Sequence, residues 1–276
     1  MATQPRTPGP ALRLEQKAAF SALACPATGQ PLRRHGDRLV TPDGAHSYPV
    51  VREVPRFVGS DLYTRSFSFE WNVHNSTQFD SHRADSYSED TLREKTGLTP
   101  EQVRGKLVLD AGVGAGRYTE ILAGWGATVV GVDLSYAVEA AHVHFRHRPE
   151  VLIAQADIGR LPFAPGTFDL IISIGVLHHT PDTRSYFSAL PRLLKPGGEI
   201  AIWVYPDTPD YLTRSYWVPF VHRVPRQWYY SFCKVFVPWA VRRFDTQLGR
   251  WLYRRFPFSC QNRGLENDVL DTFDGY

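Results

Sequence analysis

Residues 107–117 read Leu-Val-Leu-Asp-Ala-Gly-Val-Gly-Ala-Gly-Arg, and they give the clearest indication of the fold. The apolar run at 107–109 predicts a buried parallel strand that ends at Asp110. Three glycines follow at every second position, and residues 118–125 then have the pattern of a helix. A strand, a glycine turn and a helix place unpaired N–H groups and a positive helix end beside one crevice. We therefore expect a ribose or carboxylate to bind close to the glycines, because they have no Cβ to hold it away.

The chain after this stretch alternates between strands and helices. We predict strands at 127–132, 151–154, 168–174 and 199–205. We predict helices at 136–145 and from Asp182 to Lys195, where Pro196 and two glycines end the second helix. Strands separated by helix-length segments imply right-handed crossovers and a parallel sheet. The predicted fold class is α/β, with helices on both faces of the sheet.

The spacing of the glycines distinguishes two kinds of nucleotide site. A dinucleotide fold has Gly-x-Gly-x-x-Gly, but the residue three positions after Gly114 is Arg117. The pattern Asp-x-Gly-x-Gly-x-Gly instead resembles motif I of the class I S-adenosylmethionine-dependent methyltransferases. With Gln-Ala-Asp-Ile, Val-Leu-His-His and Leu-Leu-Lys-Pro-Gly-Gly further on, the resemblance covers roughly residues 105–205. It implies a Rossmann-like core and S-adenosylmethionine as cofactor, whereas the alternative is a loop that only needs three tight backbone positions.

Acidic residues follow three successive predicted strands. Asp133 could accept hydrogen bonds from both ribose hydroxyls, beside an apolar face for adenine at Leu134. The resemblance implies that Asp157 accepts from the adenine amino group and that the next backbone N–H meets the ring. For each acid the alternative is a helix cap or a solvated loop position. The predicted cofactor-binding residues are Asp110, Ala111, Gly112, Gly114, Gly116, Asp133, Leu134, Asp157, Ile158 and Ile174.

His178 and His179 are the predicted catalytic residues. Methyl transfer from a sulfonium depends mainly on alignment, and it needs a base where the acceptor is a hydroxyl. Histidine is suited to that role near neutral pH, and both follow the fourth strand, where the methyl group should point. The alternative is that one histidine faces a loop and the other caps a helix. His74 and Tyr205 are reserve candidates.

The expected activity is methyl transfer to a small molecule, such as a natural product, a sugar or a phenol. The alternative function is a subunit that binds S-adenosylmethionine without methylating and serves as a scaffold for a partner enzyme. The net charge of +3 is small, so the overall charge does not indicate binding to nucleic acid. No signal peptide and no apolar run of membrane-spanning length is found, and with three scattered cysteines this predicts a cytoplasmic protein.

The residues before the core are expected to form three segments. Residues 1–24 should be disordered or form a short helix, and 61–104 should form a helical cap with a cluster of aromatic residues. Residues 25–60 resemble the zinc-ribbon-like knob of tRNA-methyltransferase activator proteins. Such knobs bind zinc through two Cys-x-x-Cys pairs, but the corresponding residues here are Cys25, Thr28, Thr41 and Gly44. We expect no metal site, and a knob stabilised by its apolar residues alone.

Residues 206–276 are expected to form an aromatic, basic helical segment that covers the substrate. Between 211 and 258 there are nine lysines and arginines against the single acid Asp245, with 15 of the chain's 36 aromatic residues. A lid over a hydrophobic acceptor is the first interpretation. Contact with an anionic membrane surface is the second, and RNA binding is the third, since no known RNA-binding module accompanies the patch.

The strand at 199–205 is expected to lie at the edge of the sheet. Related methyltransferases add two more strands after it, and no such pair follows in this sequence, so the C-terminal strands are expected to be missing. A long apolar edge strand can pair with another chain. We expect the segment 211–258, a second subunit of a homodimer or a missing C-terminal piece to cover it.

Overall fold

The computed structural model describes residues 11–58, 86–204, 223–243, 246–248 and 251. The chain forms two compact units, residues 1–205 and residues 206–276. The aromatic cluster expected at 67–79 within the helical cap, the reserve candidates His74 and Tyr205, and most of the second unit lie outside the described residues. Within the described part, no helix is long and apolar enough to cross a membrane.

The described N-terminal part contains a small antiparallel sheet. Two one-turn 3-10 helices, Leu14–Gln16 and Phe20–Ala22, stand in place of the single short helix expected there. Four strands follow and pair in chain order: β1 Arg33–His35, β2 Arg38–Val40, β3 Ser47–Val51 and β4 Val54–Pro55. Leu39 is fully buried at the centre of this sheet, opposite Tyr48.

Hydrogen bonds occupy the positions where the zinc-ribbon resemblance places metal ligands. Thr41 Oγ1 donates to Asp43 Oδ1 at 2.6 Å and accepts from the His46 N–H at 3.0 Å. The Cys25 Sγ lies 3.2 Å from the Tyr48 hydroxyl. Among the residues described, no cluster of three His, Cys, Asp or Glu side chains could bind a metal ion. Polar groups therefore help to stabilise this sheet, which corrects the expectation that its apolar residues act alone.

The larger sheet is parallel and has the predicted α/β architecture. Its strands are β5 Leu107–Ala111, β6 Thr128–Asp133, β7 Val151–Gln155, β8 Phe168–Ile174 and β9 Leu194–Trp203. Their order in the sheet is β7-β6-β5-β8-β9, so β6 and β7 lie on one side of the central strand β5, and β8 and β9 lie on the other. Such a reversal of strand order opens a crevice at the carboxyl ends of the central strands.

Apolar side chains alternate between the two faces of this sheet, and each face has its own core. One face carries Val108 and Val129 and packs against four of the helices. The other carries Leu109 and Val130 and packs largely against the N-terminal segment and the small sheet. The helices are α1 Tyr87–Thr96, α2 Pro100–Val103, α3 Arg117–Gly124, α4 Ala137–Phe145, α5 Thr183–Ala189 and, in the second unit, α6 Arg226–Val241.

Helix α5 is shorter than predicted and strand β9 begins earlier. The helix starts at its Asp182 cap but ends at Ala189, two residues before Pro191, which has no N–H to continue it. A 3-10 turn at Pro191–Leu193 leads straight into β9 at Leu194. The Pro-Gly-Gly sequence at 196–198 therefore lies inside the strand, where the pairing register with β8 shifts and Gly197 has a φ of +79°.

The edge of the sheet at β7 is covered by the chain just after β4. Arg56 forms a parallel bridge with Gln155, and the Phe57 N–H donates to the Gln155 carbonyl at 2.8 Å. The Arg56 guanidinium also donates to Gln155 Oε1 at 3.1 Å. At the opposite edge, no strand among the described residues pairs with the outer side of β9.

Lys17 attaches the N-terminal segment to the end of helix α4. Its ammonium group donates to the carbonyls of Phe145 at 2.8 Å and Arg148 at 2.7 Å, with Arg146 more distant at 3.5 Å. These carbonyls belong to the last turn of the helix and the residues after it, which lack partners within the helix. Burial lowers the pKa of Lys17 to about 8, although Glu150 nearby opposes the shift.

Candidate cofactor and active site

Asp110 is the second-last residue of β5, which continues one residue beyond the predicted end to Ala111, and it is almost completely buried. The Thr119 hydroxyl, on helix α3, donates to its Oδ2 at 2.7 Å. Burial raises the pKa of Asp110 to about 7, with the Thr119 hydrogen bond acting against the shift and the negative charge of Asp133 adding to it. A carboxyl group in this state gains much from a cation placed beside it, since the cation favours its charged form.

Asp133, the predicted ribose acceptor, lies at the end of β6 and organises the glycine loop. Its Oδ2 accepts from the Gly114 N–H at 3.0 Å. Its Oδ1 accepts from the N–H and the hydroxyl of Ser135, at 2.8 and 2.7 Å. Two carboxylate oxygens have about four acceptor positions, so this carboxylate can accept a further hydrogen bond.

The glycines of the loop avoid clashes with the protein itself. Gly112 has a φ of +96°, and a Cβ there would lie 2.3 Å from a methyl group of Val176. Gly116 has a φ of +105°, and its Cβ would lie 2.3 Å from the Phe145 ring. At these two positions packing within the protein excludes a side chain. This is a second reason for glycine there, in addition to the close ligand approach expected from the sequence.

Asp157 caps the 3-10 turn Ile158–Arg160 that follows β7. Its Oδ1 accepts from the Gly159 N–H at 2.8 Å, and its Oδ2 accepts from the Tyr186 hydroxyl at 3.3 Å. The cap that the sequence offered as an alternative is thus present. The contact with Tyr186, on helix α5, was missed because a sequence separation of 29 residues gives no signal of contact.

The remaining predicted cofactor residues lie at the carboxyl ends of the same strands. Ala111 ends β5 and is fully buried, and its carbonyl accepts from the Ser173 hydroxyl at 2.8 Å. Leu134 is half-buried after β6, and its carbonyl accepts from Gln155 Nε2 at 2.9 Å. Ile158 is buried, whereas Ile174 is half-buried at the end of β8. The structure therefore brings the predicted residues to one edge of the sheet.

His178 and His179 lie in the 3-10 turn Leu177–His179, just after β8. The turn is close to the glycine loop, because Val176 contacts Gly112. The two imidazole rings are 4.0 Å apart between centroids. Burial, and then repulsion from a charged His179, lowers the pKa of His178 to about 4. His178 is therefore neutral at physiological pH and able to accept a proton, although it is a weaker base than a solvated histidine.

Arg117 begins helix α3 and connects the glycine loop to helix α1. Its Nε donates to the Ser88 hydroxyl at 2.9 Å. The guanidinium carbon lies 5.0 Å from the ring centre of Tyr87 and 5.1 Å from that of Tyr118, within the range of cation–π attraction. In the sequence, Arg117 is informative only because it is incompatible with a dinucleotide-binding motif. Its partners on α1 could not be inferred, because they lie 29 and 30 positions earlier in the chain.

The charge of this edge suits a cationic nucleoside cofactor. The described hydrogen-bond partners of Asp110, Asp133 and Asp157 are hydroxyl and backbone N–H groups. S-adenosylmethionine has a positive sulfonium and a positive ammonium group, together with two ribose hydroxyls that need acceptors. Three acidic side chains around a glycine loop therefore match both its charge and its hydrogen-bonding groups.

The parallel sheet, the glycine loop and the acids at the carboxyl ends of the strands together define a Rossmann-like domain of the nucleoside-binding class. Residues 109–202 match the family model described as a methyltransferase domain. This part of the chain is a class I S-adenosylmethionine-dependent methyltransferase domain, and its cofactor is S-adenosylmethionine.

Individual relatives resemble part of this chain. A ubiquinone biosynthesis O-methyltransferase from Thiobacillus denitrificans is 37% identical over 130 residues, which are 45% of this chain and 53% of that protein. A ubiquinone biosynthesis O-methyltransferase from Paracidovorax citrulli is 36% identical over 116 residues, which are 41% of this chain and 46% of that protein. The solved S-adenosylmethionine-dependent methyltransferase from Mesorhizobium loti is 28% identical, with 43% of this chain and 54% of that one covered and a TM-score of 0.37. The chain spans about half the length of the two ubiquinone enzymes.

Proposed function

We propose that this chain transfers a methyl group from S-adenosylmethionine to a hydroxyl oxygen of a small molecule. The observation that carries the proposal is the set of three acids at the carboxyl ends of β5, β6 and β7, within a methyltransferase domain. The bound cofactor supplies a methyl group already activated by its positive sulfur. The relatives named as O-methyltransferases favour oxygen as the accepting atom.

In this proposal the acids hold the cofactor and take no part in the reaction itself. Asp133 accepts from the ribose, and Asp157 accepts from the adenine amino group after exchanging its contact with Tyr186. Asp110 becomes charged beside the cofactor's ammonium group. The chain's contribution to rate is then mainly alignment of the two reacting atoms, which can supply a large part of the acceleration of such a displacement.

His178 and His179 are the proposed sources of a base. A neutral imidazole nitrogen of one of them takes the proton from the acceptor hydroxyl as the oxygen attacks. Because burial makes His178 a weak base, a phenol, whose pKa is about 10 as in tyrosine, suits this site better than a less acidic sugar hydroxyl. A phenolic small molecule is therefore the proposed acceptor class.

Two measurements test the proposal in sequence. Titration calorimetry with S-adenosylhomocysteine should show binding, and transfer of a labelled methyl group to a panel of phenols should then show turnover. Binding without turnover on phenols, sugars or extracts would contradict methyl transfer and support the alternative of a cofactor-binding scaffold. Absence of binding would reject both functions.

The histidines are tested by single substitutions. We expect His178→Ala and His179→Ala to differ, with one of them losing turnover by at least about a hundredfold while its affinity for S-adenosylhomocysteine stays intact. His35→Ala, at an exposed position on β1, is the matched control and should behave like the native chain. Equal and near-native rates for both site variants would remove the base from this segment.

A further inference from the structure

Helix α6 presents an apolar stripe to solvent. Four large side chains recur at a spacing of four, three and four residues, which places them along one side of a helix. Trp228 is 74% exposed, Phe232 54%, Val235 75% and Trp239 40%. We call these four residues the apolar stripe. Single exposed apolar residues are ordinary, but a continuous row of four with two tryptophans usually marks a binding surface.

The opposite side of the same helix is also apolar, and it is buried. Cys233 and Val237 are almost completely shielded from solvent, at positions turned about half a circle away from the apolar stripe. One apolar side of the helix is therefore buried. The apolar stripe is a second apolar side, and it is exposed to water.

Basic residues accompany the stripe, and no acid does. Between 223 and 243 the sequence has five cations and no Asp or Glu, namely Arg223, Arg226, Lys234, Arg242 and Arg243. The guanidinium carbon of Arg243 lies 4.5 Å from the ring centre of Trp239, at the C-terminal end of the stripe. An exposed row of tryptophan and phenylalanine with cations alongside is the pattern of helices that lie in the interface of an anionic bilayer.

We propose that helix α6 binds the surface of an anionic phospholipid bilayer through the apolar stripe. The four side chains enter the boundary between headgroups and acyl chains, and cations of this segment, Arg242 and Arg243 among them, meet the lipid phosphates. At 16 residues the helix is too short to span the hydrocarbon core, so it lies parallel to the surface. Charge favours this occupant over a second copy of the chain, because two copies of residues 223–243 would bring ten like charges together.

Vesicle sedimentation with the full chain tests this inference, which does not depend on the proposed methyl transfer. The probes are vesicles of phosphatidylcholine alone and vesicles with about one third phosphatidylglycerol. We expect binding to the anionic vesicles, little binding to the neutral ones, and loss of most of the binding at about 0.5 M salt because the charges are screened. Equal binding to both kinds of vesicle, or binding to neither, would overturn the proposal.

Substitutions within the stripe identify the surface that binds. Trp228→Ser with Val235→Ser should weaken binding to the anionic vesicles by about tenfold or more. Val143→Ser is the matched control for Val235→Ser, since Val143 is a helical valine that is 55% exposed in the other unit. Far-ultraviolet circular dichroism and affinity for S-adenosylhomocysteine should be native in both the double variant and the control.

Two results would show that the apolar stripe does not bind a bilayer. Undiminished vesicle binding by the stripe variants would mean that another surface carries the contact. A dimer in analytical ultracentrifugation that the stripe variants abolish, without any vesicle binding by the native chain, would identify the stripe as a contact between copies. Either result would overturn the bilayer proposal.

Discussion

At the scale of single residues, Asp110 makes cofactor binding sensitive to pH. Its pKa is raised to about 7 by burial, so the carboxyl group binds a proton in the folded protein at pH 5.5. Binding of the cofactor's ammonium group beside it would favour the charged form and release that proton. We expect affinity for S-adenosylhomocysteine to rise by about tenfold from pH 5.5 to 7.5, as measured by calorimetry.

The same group has the opposite effect on the stability of the unliganded protein. Because its folded pKa lies above the unfolded value of 3.8, its contribution is fully present below that value and is lost as the pH rises through 7. The Asp110→Asn variant should therefore show neither the rise in affinity nor this fall in stability. If the variant keeps the full pH dependence of the native chain, another group titrates on binding.

Asp133 is expected to contribute directly to affinity. Asp133→Ala should weaken binding of S-adenosylhomocysteine by about 1–3 kcal/mol, because the ribose hydroxyls lose a charged acceptor. The same change also frees the Gly114 N–H, so a control is needed to separate ligand contact from loop order. Ser135→Ala is that control, because it removes one hydrogen bond that orders Asp133, the one from the Ser135 hydroxyl, and leaves the carboxylate in place. An equal loss in both variants would argue against ribose contact.

At the scale of helices and strands, Lys17 shows how the N-terminal segment stabilises helix α4. A cation at the C-terminal end of a helix interacts favourably with both the last carbonyls of the helix and the helix dipole. Lys17→Met should lower the free energy of unfolding by about 1–3 kcal/mol, measured by urea denaturation. Arg33→Met, at an exposed position on β1, is the matched control and should change it by less than about 0.5 kcal/mol. Equal effects in the two variants would mean that the three carbonyl contacts add little.

The sequence was informative where local patterns determine structure. The five strands of the parallel sheet were predicted because each is a short apolar run followed by a turn or an acid. The end of α5 was misjudged because Pro-Gly-Gly at 196–198 is a typical helix stop, whereas the earlier Pro191 already ends the helix. A local pattern could not show which of two successive stop signals acts.

Long-range contacts explain most of what the sequence did not show. Lys17 and the carbonyls it binds are separated by about 130 positions, and Arg56 and Gln155 by 99. Neither contact can be predicted from a sequence spacing, because both depend on how the complete sheet brings distant segments together. The predicted site acids were easier to find, because each one directly follows a strand and strand ends of a parallel sheet share one edge.

For the molecule as a whole, the outer edge of strand β9 is important, because no described strand pairs with it. Ile200, Ala201, Ile202 and Trp203 are half-buried, and the described strands pair only with the inner edge. We expect slow hydrogen exchange at 200–203 in a dilute monomer, because another segment of the chain covers this edge. Slow exchange only at high concentration would indicate a dimer instead. Fast exchange at every concentration would mean that the edge is bare and that the expectation is wrong.

The bridge between Arg56 and Gln155 has a consequence for recombining this protein with its relatives. Residues 54–57 lie beside β7, which would otherwise be an unpaired edge strand of the sheet. Residues that precede the family-model match are therefore part of the structure of this sheet. A chimaera that exchanged only 105–205 would leave a foreign strand beside Arg56 and Phe57. Successful exchange would have to carry the N-terminal residues 11–57 with the core, as a single inherited block.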